Sequence, residues 1–181
     1  MDRRAFVIGL AGVAAVPLAL GGWLRSGPDP ATGIAADTTA GGSWPPLHKS
    51  PEDWKKLLSA DAYNVLFREY TERPFSSPLD EQYDPGTYVC AACFLPLFSS
   101  DTKFDSGTGW PSFYRPLEGR LATKTDHRLA VPRTEYHCIR CGGHQGHVFR
   151  DGPPPTGLRY CNNGLALRFV PEGEELPALR T

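Results

Sequence analysis

Two cysteine pairs of identical spacing, CAAC at 90–93 and CIRC at 138–141, constrain this chain more than any other feature. Each CxxC turn can aim two thiolates at one point, and four converging thiolates suit a tetrahedral zinc ion with its coordination closed. Gly142 and Gly143, directly after Cys141, fit the tight turn of such a knuckle. The pairs are separated by residues 94–137, far more than the roughly fifteen to twenty of a compact zinc ribbon. A zinc ion here would therefore clip together two hairpins with a large insertion between them. The competing reading is disulfides, which an exported protein can form, although a disulfide within CxxC is more often a strained redox device than a staple. A closed four-thiolate site has no position for water, which argues against a zinc hydrolase or deaminase and makes the metal structural.

Charge removes another class. Residues 1–25 hold Arg3, Arg4 and Arg25 against Asp2, so with a whole-chain charge of −1 the remainder carries −3. A slightly acidic body lacks the basic footprint that neutralising phosphates requires, and nucleic-acid binding is not expected.

The N-terminus reads as a segment outside the fold. Two arginines precede the uncharged run Ala5 to Leu24, the layout of an export signal, and the RRAFV start resembles a twin-arginine signal. The same twenty residues could span a bilayer, although the run is interrupted by Gly9, Gly12, Pro17, Gly21 and Gly22. Residues 1–25 are thus expected to be a signal or a membrane anchor, with the protein periplasmic or otherwise exported. Residues 26–47, dense in Gly, Pro, Ala and Thr, read as a flexible linker. The folded domain is expected over 48–175.

Within that domain SPEDWKKLL is a helix start, with Ser50 as N-cap, Pro51 in the first helical position and acids at 52 and 53. SADAYNVLFREY (59–70) is a second short helix by the same logic. After Pro74 the helical period disappears. Short β-prone runs follow at 87–90, 95–100, 120–125, 129–138, 147–149, 158–161 and 165–170, separated by Gly, Pro and Asp turns. The expected fold is mainly antiparallel β, fronted by small helices.

With four cysteines paired, Cys161 in GLRYCNNGLALRF stands alone. A lone cysteine is often only a small buried hydrophobe. Its neighbours point elsewhere: in an extended strand Arg159, Cys161 and Asn163 share a face, so a guanidinium can favour the thiolate and an amide can donate beside it. CGGHQGHVFRDGPPPTG (141–157) adds His144 and His147 in what reads as a glycine-rich loop, where imidazoles can exchange protons near neutrality. His48, His127 and His137 lack such a context and read as surface or packing residues. In SGTGWPSF (106–113) Trp110 lies between Gly109 and Pro111, either as an apolar platform or as a core plug.

Three stretches together, WKKLLSADAYNVLFREYTERPF, GTYVCAACFLPLFSSDTKFDSGTGWPSF and CIRCGGHQGHVFRDGPPPTGLRYCNNGLALRFVP, resemble the B-type methionine-R-sulfoxide reductases from about Trp54 to Pro171. The resemblance implies two antiparallel sheets with N-terminal helices and a structural zinc on Cys90, Cys93, Cys138 and Cys141. It implies Cys161 as nucleophile, with His144, His147 and Asn163 on the polar side of the pocket. Trp110 would be the platform for the substrate methyl, with Phe113 and Arg159 completing the substrate site. The implied substrate is methionine-R-sulfoxide in oxidised proteins, and the implied intermediate is a sulfenic acid on Cys161. This chain departs from the family at Thr108, where many relatives carry a cysteine, and at Gln145, where leucine is usual. Without a second cysteine in the tryptophan loop, the reductant is expected to be an external thiol, glutathione or a thioredoxin-like protein, acting on a monomer. Two rival classes are a zinc-clipped binding module without catalysis and a thiol–disulfide exchanger using one CxxC pair.

Overall fold

A computed structural model describes residues 44–181; the expected signal or anchor and all but the last four residues of the expected linker lie outside the described residues. No helix among the described residues is long and apolar enough to cross a membrane.

Two short helices open the domain, α1 (Pro51–Leu57) and α2 (Ala60–Arg68). Ser50 and Ser59 cap them as the sequence predicts, each side chain accepting from the N–H three residues on, at 3.1 Å. α2 ends at Glu69 in the left-handed region, φ 56°. It buries Tyr63, Val65 and Leu66, while Trp54 of α1 stacks on Phe67 with ring centroids 4.8 Å apart.

The strands are β1 (Gly86–Cys90), β2 (Pro96–Ser99), β3 (Lys103–Phe104), β4 (Ser112–Phe113), β5 (Leu121–Asp126), β6 (Arg133–Cys138), β7 (His144–Phe149), β8 (Arg159–Asn162) and β9 (Leu167–Pro171). They form two antiparallel sheets, of order β2-β1-β9 and β3-β4-β8-β7-β6-β5. The expected fold class is the observed one.

An aromatic layer joins the sheets. Phe98 of β2 and Phe113 of β4 stack at 4.2 Å with rings 14° apart, Tyr88 meets Phe113 edge-on at 4.9 Å, and Tyr136 meets Tyr160 at 5.3 Å. Tyr88, Phe98, Phe113 and Tyr136 are fully buried. Because side chains alternate along a strand, fixing Phe113, Tyr136 and Tyr160 inward sends Ser112, Glu135 and Cys161 to the opposite face of the six-stranded sheet.

The domain extends past the expected bounds at both ends. Trp44 and Leu47, expected at the end of a linker, pack against the core; Leu47 N–H donates to the Arg140 carbonyl at 2.7 Å, and Arg120 lies 4.2 Å over the Trp44 ring. At the other end Arg180 N–H donates to the Cys93 carbonyl at 3.1 Å, and Leu179 packs against the core.

Candidate active site

The two CxxC turns follow one backbone path. The residue four after the first cysteine donates its N–H back to that cysteine's carbonyl, Phe94 to Cys90 and Gly142 to Cys138, both at 2.9 Å. The first cysteine's N–H donates to the carbonyl five residues on, Cys90 to Leu95 at 2.8 Å and Cys138 to Gly143 at 3.0 Å. Both returns pass through the left-handed region, at Phe94 (φ 65°) and Gly142 (φ 71°). The knuckles meet so that Cys90 Sγ is 3.7 Å from Cys141 Sγ and Cys93 Sγ is 3.5 Å from Cys138 Sγ, with all four sulfurs within 4.8 Å of one another. A disulfide requires about 2.05 Å. A sulfur tetrahedron around zinc, with bonds of about 2.3 Å, has edges of about 3.8 Å. The four sulfurs therefore fit a zinc ion and have the spacing of no disulfide. The closest contacts run between knuckles and not within a CxxC.

Cys161 sits apart, in β8 between β4 and β7. Its register partners are His147 on one side and Ser112 on the other, and His147 in turn faces Glu135. Glu135, His147, Cys161 and Ser112 thus form one transverse row across four strands, on the face turned away from the aromatic layer. Close approach of β7 and β8 is possible because Gly146 lacks a side chain: a Cβ there would come within 1.9 Å of the Cys161 carbonyl oxygen.

His144 and His147 lie in a strand, not the expected loop. Three residues apart, they would ordinarily face opposite sides of it. The register shifts between Tyr136 and His137, making Gln145 an extra residue, and this bulge returns His144 to the His147 face. The two rings meet edge-on at 5.5 Å. His144 Nδ1 is 2.7 Å from Glu135 Oε1, and His137 Nδ1 is 3.0 Å from Glu135 Oε2, so His137 belongs to this network as well. Burial pushes the Glu135 carboxyl up, but the hydrogen bonds and charges of His137 and His144 outweigh it and bring the group down to about 2. An ionised Glu135 only accepts, so His144 Nδ1 carries the hydrogen; its Nε2 is buried and makes no hydrogen bond among the described residues.

His147 Nε2 is 2.8 Å from Asp126 Oδ2, which also accepts from Arg133 Nη2 at 2.6 Å, while Asp126 Oδ1 accepts from Arg128 N–H at 2.9 Å. The bond from Arg128, helped by those from His147 and Arg133, holds Asp126 well below the usual carboxylate range against the opposing effect of burial. Nε2 of His147 accordingly carries the hydrogen and Nδ1 is its acceptor. Burial, reinforced by the charges of Arg133 and His144, holds His147 below the ordinary histidine value, with Asp126 opposing only in part. The ring is neutral near pH 7.

Burial likewise pushes the Cys161 thiol up, and the Arg159 charge and a hydrogen bond from Thr108 offset it only in part. The expected bias of Arg159 toward the thiolate is present but outweighed. Arg159 forks onto Asp151, with Nε to Oδ1 and Nη2 to Oδ2 both at 2.9 Å, and lies 4.3 Å over the Phe149 ring. Thr108 begins a run of hydroxyls: its Oγ1 is 2.8 Å from Ser106 Oγ, which is 2.8 Å from Ser112 Oγ, which donates to the Trp110 carbonyl at 3.0 Å. Trp110 is half-buried, and its Nε1 donates to the Glu72 carbonyl at 3.2 Å.

A family model described as the SelR domain matches residues 58–171. The chain belongs to the SelR-domain family. A peptide methionine sulfoxide reductase MsrB of Leptospira interrogans is 53% identical over 127 residues, 70% of this chain and 97% of that protein. Proteins of the same name from Agrobacterium fabrum and Methanosarcina barkeri are 50% and 53% identical over 128 and 129 residues, spanning 70% and 71% of this chain and 95% and 91% of theirs.

Within this SelR domain two expected site residues turn out to be committed elsewhere. Phe113 is fully buried in the aromatic layer, one residue out of phase with Ser112, and presents nothing to a substrate. Asn163 engages both amide atoms with main chain: Oδ1 accepts from Glu72 N–H at 3.0 Å, and Nδ2 donates to the Gln145 carbonyl at 3.0 Å. These bonds hold the end of the strand. Glu72 is the residue that the sequence hid. Its carboxylate accepts from Gly164 N–H at 2.6 Å and Leu165 N–H at 2.9 Å, while its main chain binds Asn163 and Trp110, so one loop acid ties the tryptophan loop to the end of β8. Asp126 and Glu135 were also missed. Only the register of β5 and β6 against β7 reveals them, and register is not printed in a sequence.

Proposed function

We propose that this SelR domain reduces methionine-R-sulfoxide in oxidised proteins, with Cys161 as nucleophile and His147 as proton carrier. The observation that carries the proposal is the direct pairing of Cys161 with His147 across β7 and β8, on a polar face, while the other four cysteines are gathered into a closed cluster. The relatives named peptide methionine sulfoxide reductase support the same reading.

At rest the thiol is protonated and His147 is neutral. As the sulfur attacks the electrophilic sulfoxide sulfur, its proton passes to His147 Nδ1 and on to the basic sulfoxide oxygen. The substrate S–O bond breaks, the oxygen ends on Cys161 as a sulfenic acid, and methionine leaves. Two electrons pass from the cysteine sulfur to the substrate sulfur, and the proton count is unchanged. Asp126 fixes the His147 tautomer. His144 Nε2, buried and without a partner among the described residues, is the acceptor for the hydrogen that the sulfoxide oxygen gains. With the substrate methyl against Trp110, only one sulfoxide epimer aims its oxygen at the histidines. Losing that contact outweighs the methyl's burial, worth about 0.8 kcal/mol.

Cys90, Cys93, Cys138 and Cys141 would hold the zinc, which when bound supplies a closed structural tether and no open coordination position. Recruiting one of those thiolates to reduce Cys161 would dismantle the tether, so the second thiol comes from outside, from glutathione or a thioredoxin-like protein. The domain acts after export, a reading supported by the DRRAFV start and the apolar run after it; it is proposed to act as a monomer. Single turnover without reductant tests the chemistry. The expected products are one methionine per chain from the R epimer, none from the S epimer, and a dimedone adduct on Cys161. A stable disulfide from Cys161 to any knuckle cysteine, with zinc released, overturns it.

A further inference from the structure

One residue touches both cysteine sites. Gln145, the extra residue of the β7 bulge, is fully buried. Its Nε2 donates to Cys90 Sγ at 3.6 Å and to the Gly143 carbonyl at 3.3 Å. Its Oε1 accepts from Asn162 Nδ2 at 3.5 Å, and its main-chain carbonyl accepts from Asn163 N–H at 2.8 Å and Asn163 Nδ2 at 3.0 Å. Asn162 and Asn163 are the two residues that follow Cys161, and Asn162 Oδ1 also accepts from the Tyr136 hydroxyl at 2.7 Å. All of a buried amide's polar atoms are thereby engaged, at the point where leucine would engage none.

The chemistry of the contact with sulfur sets its role. Four thiolates around a dication carry a net charge of −2, and a buried N–H directed at one sulfur draws off part of that charge. The sulfur becomes less basic and less nucleophilic, so protons and electrophiles strip it from the metal more slowly. An enzyme handling oxidised substrates places its metal thiolates at risk from the same oxidants.

We infer that Gln145 is a positioning residue of the metal clip: its side-chain amide shields the Cys90 thiolate and ties that sulfur to the Asn162 side chain beside the nucleophile. The inference rests on reading the four sulfurs as a zinc site. Gln145→Met keeps the length and burial while deleting both the amide donor and the amide acceptor; Gln145→Leu installs the residue that the family resemblance implies at this position and serves as a second variant. The holo-domain is exposed to N-ethylmaleimide with a zinc-binding dye present, and cobalt-substituted protein gives the sulfur-to-metal charge-transfer band. Both variants should release zinc on the order of ten-fold faster than wild type. Their cobalt band should move to lower energy as the thiolate becomes more electron-rich, a change that repacking alone would not produce. Metal content well below one equivalent in wild type overturns the zinc reading and the inference together. A full equivalent in wild type, with release rates within two-fold and an unmoved band in both variants, overturns the inference alone.

Discussion

The knuckle cluster and the Cys161 row are both sulfur sites, and the surroundings divide them. In the cluster, two loops with one hydrogen-bonding pattern bring sulfur against sulfur at 3.5 and 3.7 Å, and Cys90, Cys93 and Cys138 have no exposure. Every sulfur there has three others as neighbours, an arrangement that four thiolates tolerate only with a cation among them. Cys161 has no sulfur neighbour among the described residues. It faces a neutral imidazole, a threonine hydroxyl and, two residues back along its strand, a guanidinium. A thiolate surrounded by thiolates is stabilised by metal and kept from reacting. A lone thiol opposite a proton acceptor is stable as the thiol and reactive when its proton leaves.

Exchanging one sulfur for oxygen at each site should divide them most sharply. Cys93→Ser replaces a soft ligand in a closed set of four; the expected result is loss of zinc and of the cooperative thermal transition, since metal-binding energy of this kind is folding energy, about 10–16 kcal/mol in small zinc domains. Cys161→Ser should leave zinc content and the melting temperature near wild type while reduction of the R-sulfoxide falls to background. Metal analysis, calorimetry and turnover on the two proteins decide the matter. A Cys161→Ser domain that loses its metal would show the sites to be one structural unit.

A smaller effect is expected at Asp126, which touches the reactive row and no part of the cluster. Because His147 is held below the ordinary histidine value, the acid limb of kcat/KM should lie below pH 6.5, where protonation removes its acceptor. Asp126 raises the His147 value, so Asp126→Asn should move that limb further down. It should also reduce kcat/KM on the order of ten- to a hundred-fold, through loss of the tautomer and ring orientation. Zinc content should not change. A pH–rate profile of the variant with an unmoved acid limb would remove His147 from the role of proton carrier.

How much of this was legible in the sequence follows from how far each feature depends on register. The CxxC spacing, the Ser50 and Ser59 caps and the isolation of Cys161 are local, and they read correctly. The two-residue strands β3 and β4 have no period of their own; they exist because β8 offers Ser112 and Phe113 a partner. For the same reason Phe113 looked available to substrate when its alternation with Ser112 puts it in the core. The β7 bulge was invisible because Gln145 carries no turn signal, yet it alone sets His144 on the face of His147. Asp126 and Glu135 were acids in unremarkable strands until pairing set them against the histidines.

The smallest expected effect compares the two knuckles themselves. Their backbones match, but the left-handed position holds Phe94 in one and Gly142 in the other. Around Gly142 a Cβ would meet nothing within 4 Å, so Gly142→Ala isolates the backbone preference from any clash. It should destabilise by about 1 kcal/mol, a strain of about 1–2 kcal/mol partly offset by the lower entropy of the unfolded alanine chain. In a domain of this size that corresponds to roughly 3 °C in the melting temperature. At Phe94 the same strain is already present. Its ring lies 4.4 Å from the Arg180 guanidinium and 5.9 Å from that of Arg168, contacts that help to hold it there. Phe94→Gly would relieve the backbone, but it would lose the ring contacts and loosen the unfolded chain, so the melting temperature should change by less than in Gly142→Ala. If Phe94→Gly instead lost several degrees or released zinc, the ring and its arginines, more than the shared backbone path, would be what holds the first knuckle in place.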